Sequence, residues 1–286
     1  MALAALRWYD AHARDLPWRR PGTSPWAILV SEVMLQQTPV ARVVPVWRDW
    51  LARWPTPAAL AAETPGEAIR AWGRLGYPRR ALRLHECATT IVTRHGGQVP
   101  ASLADLLDLP GVGAYTARAV AAFAFGQRHP VVDTNVRRVV ARAVAGLPDA
   151  AVATTAGDLA AVEALLPAEP ALAVRVNAAL MELGALLCTA RSPRCRDCPL
   201  TSSCAWRESG SVAANSPARR IQRYAGTDRQ VRGILLDALR RATGPVSRAR
   251  LDALWADAAQ RDRALASLVS DGLVHEVSPD RYALPG

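Results

Sequence analysis

Four of the five cysteines in this chain fall within seventeen residues, CTARSPRCRDCPLTSSC, from Cys188 to Cys204. No other feature restricts the fold as strongly, because thiols spaced C-x6-C-x2-C-x5-C must pair, bind metal or be buried together. The opening stretch MALAALRWYDAHARD reaches Arg7 and Asp10 too early to hold the apolar core of a signal peptide. No run of 18 apolar residues occurs, so nothing in the sequence reads as a membrane helix. The expected setting is cytoplasmic or nucleoid-associated, where disulfides are rare and clustered thiols act as metal ligands. Four thiolates can hold a tetrahedral zinc, or supply one ligand to each iron of a [4Fe–4S] cube. Zinc ribbons use two CxxC knuckles, whereas only Cys195 and Cys198 make one here. Spacing therefore puts iron–sulfur slightly ahead and leaves zinc open. Cys87, alone in RLHECATTIV, reads as a core residue.

The preceding stretch NAALMELGALLC has helical periodicity, with Ala178, Met181, Ala185 and Cys188 along one side, so the cysteine loop leaves a helix that packs into the core. Arg191, Arg194 and Arg196 lie inside the loop. They are either a solvated charge run or phosphate contacts on a metal-tied loop. The chain carries 35 basic against 25 acidic residues, a net charge of +10, which suits an anionic partner such as nucleic acid. All of the basic residues are arginine; lysine is absent.

In PASLADLLDLPGVGAYTARAVAAFAFG, Ser102 can cap a short helix and a second helix begins near Ala114. Between them, Pro110 stops the first helix, while Gly111 and Gly113 permit positive φ and close backbone approach. Helix–LPGVG–helix reads as a helix-hairpin-helix element whose second helix offers free N–H groups to a phosphate.

Two carboxylates stand out. In GTSPWAILVSEVMLQQT, Ser24 and Pro25 start a helix. Glu32 shares its apolar face with Ile28, Leu29 and Leu35, where burial should raise its pKa and keep a proton available. A structural glutamate with a polar partner is the plainer reading of that helix alone. Asp133, before TNVRRVVARAV, reads first as an N-cap, a position where the helix dipole favours the anion. A protonated carboxyl beside an ionised one is the division of labour that cleaves a glycosidic bond.

With SEVMLQQT (31–38), LPGVGAYTA (109–117), VDTNVRRV (132–139) and the four-cysteine spacing in this order, the chain resembles the adenine-specific mismatch DNA glycosylases, the MutY family of the helix-hairpin-helix base-excision enzymes, over roughly residues 1–210. The resemblance implies that Cys188, Cys195, Cys198 and Cys204 bind a [4Fe–4S] cluster that stiffens a DNA-contacting loop. It also implies that Glu32 protonates adenine N7 and later activates water, while Asp133 stabilises the sugar cation or a covalent intermediate, supported by Tyr115 and Asn135. Gln37, Thr38, Leu75 and Tyr77 match residues that wedge into the duplex or meet the opposing 8-oxoguanine. Leu75 reads equally as core packing, and Gln37 and Thr38 as a polar helix end. Arg14, Trp18 and Arg19 match the adenine-pocket side, although Trp18 has a plain core reading. The implied partner is double-stranded DNA containing adenine mispairs, bound by a monomer, with the flipped base in a cleft between two domains.

The implied fold is all-α. A helical-barrel domain takes 24–130, and an iron–sulfur cluster domain takes 1–23 and 131–210. A linker at 211–225 is followed by a winged-helix-like module at 226–286. Two departures from the family pattern stand out: Ala178 takes a place where some relatives carry Glu or Gln, and residues after 210 do not match the family's Nudix-like domain. From residue 217 on, 12 arginines against 8 acidic residues leave a modest positive balance. An endonuclease III-like lyase is the enzymatic alternative, but it needs a lysine where Tyr115 stands. A thymine-mismatch glycosylase is closer, with QQT after Glu32 favouring adenine. The non-enzymatic alternative is an iron–sulfur DNA-binding regulator, against which the retention of both carboxylates speaks.

Overall fold

The structure is a computed structural model that describes residues 1–151, 153–211 and 224–286. Most of the linker expected at 211–225 lies outside the described residues. In chain order the helices are α1 (Ala2–His12), α2 (Pro25–Leu35), α3 (Val40–Arg53), α4 (Pro57–Ala61), α5 (Pro65–Trp72), α6 (Arg79–Arg94), α7 (Leu103–Leu107) and α8 (Ala114–Phe125). They continue with α9 (Thr134–Ala143), α10 (Ala156–Leu165), α11 (Pro170–Leu186), α12 (Ala205–Glu208) and α13 (Asp228–Arg241). The last residues form β1 (Val246–Ser247), α14 (Arg248–Asp252), α15 (Ala258–Ser270), β2 (His275–Ser278) and β3 (Arg281–Ala283). Among the described residues no helix is long and apolar enough to cross a membrane.

Helix starts follow the local chemistry. Ser24 Oγ accepts the Ala27 N–H at 3.2 Å and Pro25 opens α2. Ser102 accepts the Asp105 N–H to start α7, and Asp133 caps α9. The hairpin between α7 and α8 turns at Gly111, whose φ of +78° favours glycine and whose added Cβ would lie 2.8 Å from Arg83 Cβ. Gly113 differs from the expectation of positive φ. Its φ is −90°, and a Cβ there would meet nothing within 4 Å. Nothing inside the protein therefore demands glycine at 113.

The chain forms two compact units, each discontinuous in sequence. The first comprises Met1–Ile28, Ala101–Asp108 and Val112–Ala218. Its core joins Ala5 and Leu6 of α1 to Val136, Val139 and Val140 of α9 and to Val176, Leu180 and Leu183 of α11. Helices α9 and α11 approach closely because residue 184 is glycine: a Cβ there would stand 2.7 Å from Asn135 Cβ and Asn135 O. A smaller cluster of Ala119, Ala122 and Val131 packs beneath Tyr115.

The second unit comprises Leu29–Pro100, Leu109–Gly111 and Arg219–Gly286. Trp50, Trp54 and Trp72 are buried in its core, with Trp50 edge-on to Trp54 at 4.6 Å and to Trp72 at 5.8 Å. Such aromatic pairs add to the apolar burial. The C-terminal residues of this unit run helix–strand–helix–helix–strand–strand, with an antiparallel sheet in the order β1-β3-β2. That is the winged-helix arrangement expected from the sequence. Val231, Leu235, Leu236 and Leu239 form the buried stripe of α13 that seats it.

Candidate active site

In the first unit, Asp133 is held from several sides. Its Oδ1 accepts the Val136 N–H at 2.7 Å, and its Oδ2 accepts from Asn135 Nδ2 at 2.9 Å. Asn135 Oδ1 in turn accepts from Arg138 Nη2 at 2.7 Å, and Arg138 donates onward to the carbonyls of Gly184 (2.8 Å) and Cys188 (2.6 Å). The extended lead-in to Asp133 is fixed by buried Asn177. Its Oδ1 accepts the Val131 N–H at 3.0 Å and its Nδ2 donates to the His129 carbonyl at 2.9 Å. The carboxylate is part-exposed, yet its surroundings raise its pKa: burial dominates over the lowering effects of Val136, Asn135 and Arg138. This departs from the sequence expectation, which weighed the helix dipole and not the desolvation. Tyr115 stands on the first turn of α8, partly buried over Ala119, Ala122 and Val131.

Arg14 and Arg19, expected on an adenine-pocket side, converge on Glu182 of α11. Arg14 Nε and Nη2 reach its two carboxylate oxygens at 2.6 and 3.0 Å, and Arg19 Nη1 lies at 2.9 Å. The Glu182 side chain is fully buried, and Trp18 is buried as well. Burial alone would raise the Glu182 carboxyl, but the hydrogen bond from Arg14 and the charge of Arg19 outweigh it and hold it below the usual carboxylate range. A group with a depressed pKa stabilises the fold above its unfolded value, and that stabilisation fades as pH falls through the folded value. Glu182→Ala is therefore expected to cost about 3 kcal/mol near neutral pH. In denaturant unfolding, the gap to the wild type should close on acidification. An unchanged unfolding midpoint at pH 7 would show that the pair has no net stabilising effect.

The four cysteines line a single apolar cavity together with Val139, Leu183 and Trp206. Arg142 of α9 closes one side. Its Nη1 lies 3.5 Å from Cys188 Sγ and donates to the Thr189 carbonyl at 2.8 Å, and its guanidinium stacks 4.8 Å from the Trp206 ring. Burial raises the Cys188 thiol against the pull of Arg142 and Arg138, and pushes Cys198 up to about 11. Coordination overrides such shifts, because a metal-bound thiol is deprotonated outright. Among the described residues, no three His, Cys, Asp or Glu side chains converge closely enough to hold one metal ion. Four thiols lining one cavity are the donor set needed by a cube that takes one thiolate per iron. Arg191 and Arg194 are exposed on this loop, with Arg194 Nη2 donating to the Leu186 carbonyl at 3.2 Å.

In the second unit, Glu32 is buried (6% exposed) on α2, among Leu29, Val30, Val33 and Met34. Just beyond, Gln37 and Tyr77 have left-handed backbones at φ +55° and +48°. Both are exposed, and such strain in non-glycine residues is a pointer to function. One arginine ties their two turns together. Arg80 Nη1 donates to the carbonyls of Val33 (2.9 Å), Met34 (3.1 Å) and Gln36 (2.5 Å), and Nη2 donates to Thr38 Oγ1 (3.0 Å) and the Gly76 carbonyl (3.1 Å). Burial pulls this guanidinium down to about 10. Thr38 Oγ1 also donates to the Leu75 carbonyl at 3.3 Å, and Leu75 itself is buried at 3% exposure, as the packing reading has it.

Sequence reasoning missed Arg80, Arg138, Arg142, Asn177 and Glu182. The last was findable as the one carboxylate within the apolar run NAALMELGALL. Arg138 and Arg142 carry a weaker signal, their i, i+4 spacing on the same side of α9.

Residues 30–155 match the family model described as HhH-GPD superfamily base excision DNA repair protein. A protein of Mycolicibacterium smegmatis named adenine DNA glycosylase is 62% identical, over 98% of this chain and 94% of its own. The Homo sapiens protein of that name is 42% identical, over 71% of this chain and 38% of its own. Among solved structures, a thermostable thymine-DNA glycosylase superposes with a TM-score of 0.66 at 28% identity, covering 73% of this chain and 95% of its own.

Proposed function

The chain belongs to the adenine DNA glycosylases of the HhH-GPD base excision repair superfamily, and from that premise we propose that it excises adenine mispaired with 8-oxoguanine or guanine by hydrolysing the N-glycosidic bond. The observation that carries this reading is the 62% identity maintained over 98% of the chain. The target adenine must leave the duplex, because neither N7 nor the far side of C1′ is open within the stack. Glu32 is our proton donor to N7 and then the base that activates water. A buried carboxyl on this apolar helix is suited to both duties. Asp133 steadies the developing oxocarbenium ion, with Asn135 and Val136 fixing its oxygens and Tyr115 as a supporting neighbour.

Arg14, Trp18 and Arg19 contribute the adenine side, with the two arginines held in place by Glu182. Gln37, Thr38, Leu75 and Tyr77 form the wedge and the opposing-base side. Exposed Gln37 and Tyr77 reach the duplex, and buried Leu75 supports their turns. The hairpin receives a phosphate at the start of α8, and the open space around Gly113 permits close approach of the backbone. Arg191 and Arg194 add phosphate contacts. Cys188, Cys195, Cys198 and Cys204 hold a [4Fe–4S] cluster, which when bound cross-links that loop to the end of α11. The enzyme works as a monomer on chromosomal DNA in the reducing cytoplasm.

Schiff-base lyase chemistry requires an amine, and the chain has no lysine. Excision assays on A:8-oxoG, A:G, T:G and thymine-glycol duplexes test the reading. Release is expected from the two adenine mispairs, with strand scission only after alkali or heat and little borohydride-trapped complex. Dominant activity on T:G or thymine glycol, or efficient trapping, would reject it.

A further inference from the structure

The turn between α5 and α6 is gripped by the C-terminal winged-helix module. The half-exposed Tyr77 ring is approached by two guanidinium groups, Arg80 at 5.4 Å and Arg229 of α13 at 5.6 Å, and Arg229 Nη2 donates to the phenol oxygen at 3.2 Å. To either side, Arg74 pairs with Asp237 at 3.1 Å and Arg79 with Asp271 at 3.4 Å. Deeper in, two arginines exchange bonds with the opposite helix. Arg70 Nη1 donates to the carbonyls of Arg240 and Ala242 at the end of α13, and Arg240 Nε donates to the Ile69 carbonyl at 2.9 Å. The Pro285 carbonyl accepts the Gly66 N–H at 2.7 Å, where a Cβ on residue 66 would stand 2.4 Å from the same oxygen. The module is thus seated along α5 and α6, and Arg229 extends from it over the one strained aromatic residue of the turn.

We propose that the C-terminal module is a specificity element of the opposing-base side, with Arg229 a positioning residue that fixes Tyr77. The proposal rests on the reading of Tyr77 given above. An exposed aromatic on a left-handed backbone has alternative rotamers and backbone states to relax into, and the two flanking cations restrict both. A phenol that accepts from Arg229 keeps its own O–H proton for an acceptor. The carbonyl that 8-oxoguanine carries at C8, and guanine lacks, is such an acceptor. Losing Arg229 should therefore weigh more on A:8-oxoG than on A:G.

The test is a double-mutant cycle read as the ratio of single-turnover excision on A:8-oxoG to that on A:G, with binding to matched duplex measured alongside. Arg229→Ala is expected to lower the ratio about threefold, the scale of an exposed cation–π contact. The same change in a Tyr77→Ala background should have no further effect. Gly66→Ala, which pushes on the module from its far end, should lower the ratio in the same direction. An equal loss of binding to mispaired and matched duplexes, persisting in the Tyr77→Ala background, would overturn the proposal and mark Arg229 as a phosphate contact. If Tyr77→Ala lowers the ratio and Arg229→Ala does not, the proposal alone fails. If Tyr77→Ala leaves the ratio unchanged, the reading of Tyr77 fails and the proposal with it.

Discussion

Glu32→Gln is expected to abolish adenine excision, lowering the single-turnover rate on A:8-oxoG at least about a hundredfold, the low end of what a positioned general acid supplies. The substitution keeps shape and volume. Glu32 is 6% exposed on a helix whose neighbours Leu29, Val30 and Met34 are wholly buried, so a smaller residue would leave a cavity and confuse chemistry with stability. Glutamine removes only the transferable proton and the later base. Affinity for a mispaired duplex should change little, because the wedge, hairpin and loop contacts do not involve residue 32. Retained turnover in the variant would mean that another group protonates the base. Lost binding together with lost turnover would mean that Glu32 is structural, the plainer reading of its helix.

The second large effect concerns the cysteines. Purified without oxygen, the protein is expected to be brown and to carry about four irons per chain. Cys198→Ser should lower the iron content sharply and the melting temperature by roughly 5 °C or more, because the loop 188–204 would lose its cross-link. The damage should extend beyond the loop. The Cys188 carbonyl is one of the anchors of Arg138, and Arg138 holds the Asn135 oxygen while Asn135 holds Asp133. A fall in excision at saturating enzyme should therefore accompany the fall in DNA affinity. One zinc and no iron in the native protein would reject the cluster, and full activity of an iron-free variant would reject the coupling.

Much of this was legible in the sequence because the signals are local. A Ser–Pro start, an LPGVG turn, an aspartate before a helix and four clustered thiols each act within a few residues, and each is found where its pattern puts it. The long-range ties were not legible. Glu182 meets Arg14 across 168 positions and Arg80 meets Val33 across 47, and neither spacing leaves a periodic trace. The upward shift of the Asp133 carboxyl was not legible for the same reason. Its helix dipole is written in the adjacent residues, whereas its desolvation comes from burial that only the folded chain produces. The seating of the C-terminal module on α5 and α6 likewise depends on Gly66, which in sequence looks like an ordinary helix-start glycine.

The interleaving of the two units bears on how the chain can fold during synthesis. The unit built on residues 29–100 is completed only by residues from 224 onward, and the other unit combines residues 1–28 with those after 112. Neither can close while its early part alone is outside the ribosome, so the α5 and α6 surfaces that receive Pro285 and Arg240 wait uncovered until those residues have emerged. Long sequence separation between partners slows closure and prolongs the exposure of apolar surface. For this enzyme, then, assembly is a late event, and a ribosome that stalls before Arg229 has emerged leaves the Tyr77 turn without its outer clamp.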